Sequence, residues 1–225
     1  MTGPEVRDAR KGQKWTQVDF ARKLGVSQGY VSLLESDRRK VPQHLLPRLV
    51  SLLELPASKL PVSSQTEPLA EDRVAGVLGT LGYPGFAHLA QKRRLNPAEL
   101  LVRTLRRPRV EARLVEALPW VLVRFPNVDW PWLVSHAKQS DLQNRLGFLV
   151  TLARALAERS NDAVTAEVLR TWERVLEASR LQKEDSFADQ GLTDAERTWL
   201  RANRSAEAAH WNLLSNVTVD TVARA

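Results

Sequence analysis

Apolar residues along this chain recur every three to four positions rather than every second one. LQNRLGFLVTLARALAER is the plainest case, with Leu142, Leu146, Leu149, Ala153 and Leu156 on one face at the helical period. Only Asn216 to Val222 (NVTVDTV) alternates well, which predicts a short C-terminal strand or an extended tail. Helix-start signals punctuate the rest. Asn96-Pro97 joins an N-cap to a proline at the first helical position and opens PAELLVRTLR. Val110 to Leu118 follows, and Pro119, which has no N–H to donate, predicts a restart or kink before WVLVRF. Asp129 and Trp130 precede Pro131, which opens PWLVSHAKQ; Asp141 is the predicted cap of the 142–159 helix, and Asn161 caps the stretch to Arg180. Thr193 and Glu196 fit a capping box. The fold class is all-α.

The clearest boundary is Pro61 to Ala70 (PVSSQTEPLA), polar and proline-bearing between two apolar-periodic regions. It predicts a five-helix N-terminal domain over 1–62, a linker over 63–70, and a larger helical domain over 71–225 for dimerisation and partner binding.

Charge sharpens this division. The chain carries a net +7, and residues 1–62 hold eleven Lys/Arg against six Asp/Glu. A second basic cluster over 91–115 holds eight (Lys92, Arg93, Arg94, Arg103, Arg106, Arg107, Arg109 and Arg113) against Glu99 and Glu111, and the remainder is mildly acidic. Nucleic acid is therefore a reasonable partner. Cys is absent, which removes disulfides, thiolate metal sites and cysteine nucleophiles. The most apolar stretch, Leu114 to Phe125, is too short for a bilayer and carries Glu116 and Arg124; the first twelve residues lack the apolar run of a signal peptide. A soluble, cytoplasmic protein is expected.

No catalytic constellation emerges. His44, His88, His136 and His210 have no partner at metal-binding spacing, and no phosphate-cradling glycine loop or nucleophile elbow is found. Gly76, Gly79, Gly82 and Gly85 read as packing or turn positions. Neither an enzyme, a cofactor nor a metal is expected.

Thr16 to Glu35 (TQVDFARKLGVSQGYVSLLE) is the densest motif. Thr16 caps a helix ending at Leu24, Gly25 supplies its left-handed end, and Ser27 caps a second helix over Gln28 to Glu35. Small Ala21 permits the close crossing. Phe20, Leu24, Val26, Val31 and Leu34 face inward, with Leu46, Leu49, Val50 and Leu53 closing the core; Gln28, Gly29, Ser32 and Leu33 face out. The combination of TQ, A, LGVSQ, a β-branched residue and LE resembles the phage-repressor-like (Cro/C1, XRE) helix-turn-helix family over about Pro4 to Leu60. It departs from that family in Asp37, where a glycine is usual, and in Leu33, where a polar or basic residue is common.

The resemblance implies that Gln28 leads a recognition helix into the DNA major groove, with Gly29, Ser32 and Leu33 beside it. Gln17, Ser27 and Tyr30 would meet the phosphate backbone, joined by Arg38, Arg39 and Lys40 just beyond the helix. A double-stranded operator is the expected partner, and a homodimer is expected because one small helix-turn-helix buries too little DNA surface for tight specific binding.

Six of the seven tryptophans lie beyond residue 70. They read as core anchors, with Trp130 and Trp132 as candidate partner contacts, because residues two apart on a helix start cannot both face one core. The arginines around Pro108 are a solvated corner, an extension of the DNA footprint, or a receptor for an acidic partner. Arg109 to Ala157, with its Arg145-Leu-Gly-Phe-Leu-Val150 segment, looks somewhat like the C-terminal helical region of abortive-infection AbiE-type antitoxins. That likeness implies an autoregulating antitoxin binding a cognate toxin; the alternative is a repressor whose helical domain senses a small molecule.

Overall fold

A computed structural model describes residues 1–63, 67–91, 94–187 and 191–224. Lys92 and Arg93 of the second basic cluster, and 64–66 of the expected linker, lie outside the described residues. The chain divides into two compact units, Met1–Val62 and Ser63–Ala225.

The first unit holds α1 (Gly3–Gly12), α2 (Gln17–Leu24), α3 (Gln28–Glu35) and α4 (Leu46–Leu52). The fifth helix is only a 3-10 turn, Ala57–Lys59, because Pro56 restarts the chain too close to Pro61 for a full α turn. Reciprocal capping boxes at Thr2/Glu5 and Thr16/Asp19 start α1 and α2. Gly25, at φ 78°, ends α2 in the left-handed region that a Cβ disfavours. The core is Val6, Phe20, Ala21, Leu24, Val31, Leu49 and Leu53, with Leu34 and Val50 also buried. Val26 and Leu46 are only half-buried, at its margin.

The second unit contains α5 (Glu71–Leu81), α6 (Pro97–Leu105), α7 (Ala112–Arg124), α8 (Trp130–Lys138), α9 (Gln143–Arg159), α10 (Ala163–Glu177), α11 (Asp194–Asn203), α12 (Ala206–His210) and α13 (Val219–Arg224). A 3-10 segment spans Pro84–Leu89, and β1 (Asp185–Ser186) pairs in parallel with β2 (Leu213–Leu214). The first eleven residues of α9 are all buried, so this helix is the axis of the unit, with α7 and α10 against it.

Four local expectations change. α7 runs unbroken through Pro119, which is buried together with Leu118, Val121 and Leu122; packing on both sides outweighs the one backbone bond that proline forfeits. Asp141 does not cap α9. It sits at φ 54°, whereas an N-cap needs extended backbone, and Leu142 takes that position without a side-chain bond. Asn161 is likewise left-handed at φ 57°, so Asp162 caps α10 by accepting from the Thr165 N–H at 3.0 Å, and the helix ends at Glu177 rather than Arg180. The alternating NVTVDTV segment is not a strand. Thr218 and Thr221 accept each other's backbone N–H, which starts α13.

Gly147 of α9 shows why that axis is so closely covered. A Cβ there would lie 2.4 Å from ring atoms of Trp211, which is completely buried and donates its indole N–H to the Thr151 hydroxyl at 2.8 Å. The ring lies flat on the helix only because the position lacks a side chain. Gly147→Ala is therefore expected to destabilise the second unit by ~1–3 kcal/mol through overpacking. The companion Trp211→Leu change should make the pair less than additive, as measured by chemical denaturation. Full additivity of the two changes would refute the contact.

Candidate nucleic-acid interface

The site is assembled around one carboxylate. Val31, Leu34 and Glu35 form the buried face of α3, so this short helix places a glutamate, 1% exposed, in the first unit's interior. An isolated charge there would cost several kcal/mol. Arg10 of α1 offsets it with a two-pronged contact, Nε to Oε1 at 2.6 Å and Nη2 to Oε2 at 3.0 Å, and its Nη1 donates to the Trp15 carbonyl at 2.6 Å. Arg7 donates to the Glu35 backbone carbonyl at 3.0 Å. Burial pushes the Glu35 carboxyl up, but the Arg10 and Gln17 hydrogen bonds and the Arg10 and Arg7 charges together hold it below the usual glutamate range.

From Glu35 the hydrogen bonds lead outward. Gln17, at the start of α2, donates its amide to Glu35 Oε2 at 2.9 Å, and its carbonyl oxygen accepts from the Gln28 amide at 2.7 Å. Gln28 is exposed at the start of α3. One of its two N–H groups is spent on Gln17; the other, and the amide oxygen, remain. That is the donor–acceptor pair required to bond an adenine edge at N7 and N6.

Gly29, Ser32 and Leu33 lie exposed on the same helix, and Leu33 offers an apolar surface that suits a thymine methyl group. Ser27 caps α3 by accepting from the Tyr30 N–H at 3.2 Å, which leaves its hydroxyl proton to donate. Half-buried Tyr30 lies under the Arg39 guanidinium, 4.6 Å from ring centre to carbon, so Arg39 is pre-positioned while Arg38 and Lys40 extend freely. Asp37 adopts φ 55°, a left-handed conformation that favours glycine, and its carboxylate accepts from the Gly3 N–H at 2.5 Å.

Arg10 and Arg7 escape the motif reading, since they precede it. The available signal is Glu35 itself, a charge at the inward phase set by Val31 and Leu34 that needs a buried cation.

The other candidates lie in the second unit. Trp130 is a core residue, 4% exposed, stacked on Trp172 at 5.3 Å and donating its indole N–H to the Pro126 carbonyl at 2.8 Å. It is therefore withdrawn as a partner contact. Trp132 is half-buried and stacks on His136 at 4.0 Å. Much of the second basic cluster is spent internally: Arg103 pairs with Glu99 at 2.9 Å, Arg106 donates to Ser140 at 2.6 Å, Arg107 bonds the Leu69 carbonyl, and Arg113 pairs with Glu111 at 2.9 Å.

Residues 6–60 match the family model described as helix-turn-helix, of the Cro/C1 (XRE) type, which supports a DNA-binding regulatory role. No curated protein and no solved structure matches. Among the described residues no helix is long and apolar enough to cross a membrane.

Glu35→Gln leaves Arg10 buried without its counter-charge and is expected to lower the stability of the first unit by about 3–5 kcal/mol at neutral pH. Because the folded carboxyl titrates below its unfolded value of about 4.3, the wild-type advantage is complete above that pH. It is lost as the pH falls through the lower folded value. Urea melts should show the variant's deficit narrowing on acidification; an equal deficit at neutral and strongly acid pH would contradict the assignment.

Proposed function

We propose that this protein is a sequence-specific repressor that binds its operator as a homodimer through α3. The observation that carries this is the Gln28 amide, exposed and oriented by Gln17, with one donor and one acceptor still available. One small helix-turn-helix touches too little DNA for tight specific binding. Two copies on successive major grooves would separate half-site centres by about 34–36 Å.

Gln28→Ala should weaken operator binding by ~1–3 kcal/mol while leaving non-specific binding nearly unchanged. Arg39→Ala should weaken both and reduce the salt dependence by about one phosphate contact. Gel-shift titrations at several salt concentrations separate the two roles, and indistinguishable variants would refute them. Footprinting that finds one isolated half-site bound by a monomer would refute the dimer.

For the second unit the proposed role is capture of a cognate toxin, making the chain an autoregulating antitoxin. The Trp132–His136 stack, half-exposed on α8, supplies an aromatic surface of the kind that dominates interface energetics. Trp132→Ala should cost ~2 kcal/mol of partner binding with little loss of fold. Co-purification from the native host reads this, and equal recovery of partner by the variant would exclude Trp132. A second reading, small-molecule sensing, is favoured by one observation: an apolar cavity of about 330 Å³ in the same unit.

A further inference from the structure

That cavity has a more definite chemistry than its volume alone conveys. Its floor is formed by buried Val115, Phe187 and Leu214. Its opposite wall is formed by Leu192 and by Leu200 of α11. No residue of α11 is buried, although the helix is amphipathic; half-buried Leu200 lines the cavity, whereas Trp199 stays exposed. Ligand sites combine such apolar walls with a few polar groups, and Arg109, Glu111, Ser215 and Asn216 also line this cavity. Ser215, 7% exposed, accepts from the Val217 N–H at 3.3 Å, and its hydroxyl proton remains to donate. Arg109 is exposed and also lines the cavity.

The charges around Arg109 decide what it can receive. Glu111 lines the same cavity but is paired with Arg113 at 2.9 Å. Glu196 lies within electrostatic range, yet one of its oxygens accepts from the Thr193 N–H at 2.7 Å and the Thr193 hydroxyl at 2.8 Å in the α11 capping box. The Arg109 guanidinium makes no hydrogen bond or ion pair among the described residues, in contrast to Arg103, Arg107 and Arg113 of the same basic cluster. A planar cation beside an apolar cavity is complementary to a carboxylate on an apolar body.

We infer that this cavity binds a small apolar monocarboxylic acid, its hydrocarbon body between Leu214 and Leu200 and its carboxylate on Arg109 and Ser215. The ligand class rests on the cavity; its regulatory meaning rests on the sensing reading above. The occupied cavity would add apolar contact at Leu200, which is only half-buried, so binding would hold α11 more firmly against the rest of the unit.

Decanoate is a suitable probe and decanol its uncharged counterpart, titrated calorimetrically into the full-length chain. Decanoate should bind saturably at one site. Arg109→Gln should weaken it by about tenfold or more while leaving decanol unaffected, because only the charge-assisted contact is removed. Leu200→Trp should abolish both by filling the cavity from its exposed side, and Leu192→Trp serves the same purpose if the first variant does not keep the wild-type circular dichroism. No saturable decanoate binding, or equal binding by wild type and both classes of variant, would overturn the assignment. Gel shifts with and without decanoate separate the two layers. Binding that leaves operator affinity unchanged upholds the cavity and rejects sensing, whereas changed affinity that Arg109→Gln removes upholds both.

Discussion

The Glu35 carboxylate, buried where three helices meet, sets the geometry of the helix-turn-helix. It receives Arg10 from α1 and Gln17 from α2 while belonging itself to α3, so one group ties together elements that are each too short to be stable alone. Removing a carboxylate and a guanidinium from water is unfavourable, and hydrogen bonds to both carboxylate oxygens are what make the arrangement tolerable. Its directional consequence exceeds its energetic one. Hydrophobic contacts among Phe20, Leu24 and Val31 bring α2 and α3 together, but such contacts are non-directional. The Glu35–Gln17–Gln28 series gives them orientation and extends it to an exposed amide with donor and acceptor to spare. An amide preorganised in this way loses less side-chain freedom when it binds a ligand.

The second unit solves a different problem, that of covering a long helix on every side. α9 does so by having no side chain at Gly147, where the Trp211 ring lies, and by placing Thr151 one turn later to accept the indole N–H. The Thr151 hydroxyl donates in turn to Glu173 at 2.6 Å, which holds Arg154, so a buried aromatic is connected to a surface ion-pair network through a single threonine. Similar economy governs the basic cluster. Arg103 and Arg113 belong to local ion pairs and Arg107 caps a carbonyl, so a count of arginines along the chain overstates the positive charge offered to a partner. Arg109 stands apart: Glu111 is paired with Arg113, and one Glu196 oxygen is held in the α11 capping box.

Much of this was legible in the chain itself. All-helical class follows from the 3.6-residue period of positions such as Leu142, Leu146 and Leu149. The Thr16, Gly25 and Ser27 boundaries follow from backbone chemistry within a few residues: an orphan N–H seeks a side-chain oxygen, and a left-handed turn seeks a residue without a Cβ. Local rules also mark where they fail. Asp141 and Asn161 are good caps and equally good left-handed residues, and only the path of the neighbouring helices decides which role each takes. Pro119 breaks a helix in isolation, but not one clamped by packing before and after it.

Tertiary structure alone decided which charges and rings are spent. Trp130 and Trp132 look equivalent in sequence, yet Trp172, forty-two residues after the first, stacks on it and helps to bury it. Arg10 and Glu35 are twenty-five residues apart and nothing in their spacing pairs them; they meet because both occupy the inner faces of helices packed on one core. Periodicity and capping concern atoms within about two helical turns, where chain connectivity already fixes distances. Burial and pairing depend on contacts between distant segments, whose free energy is settled only when the whole unit excludes water.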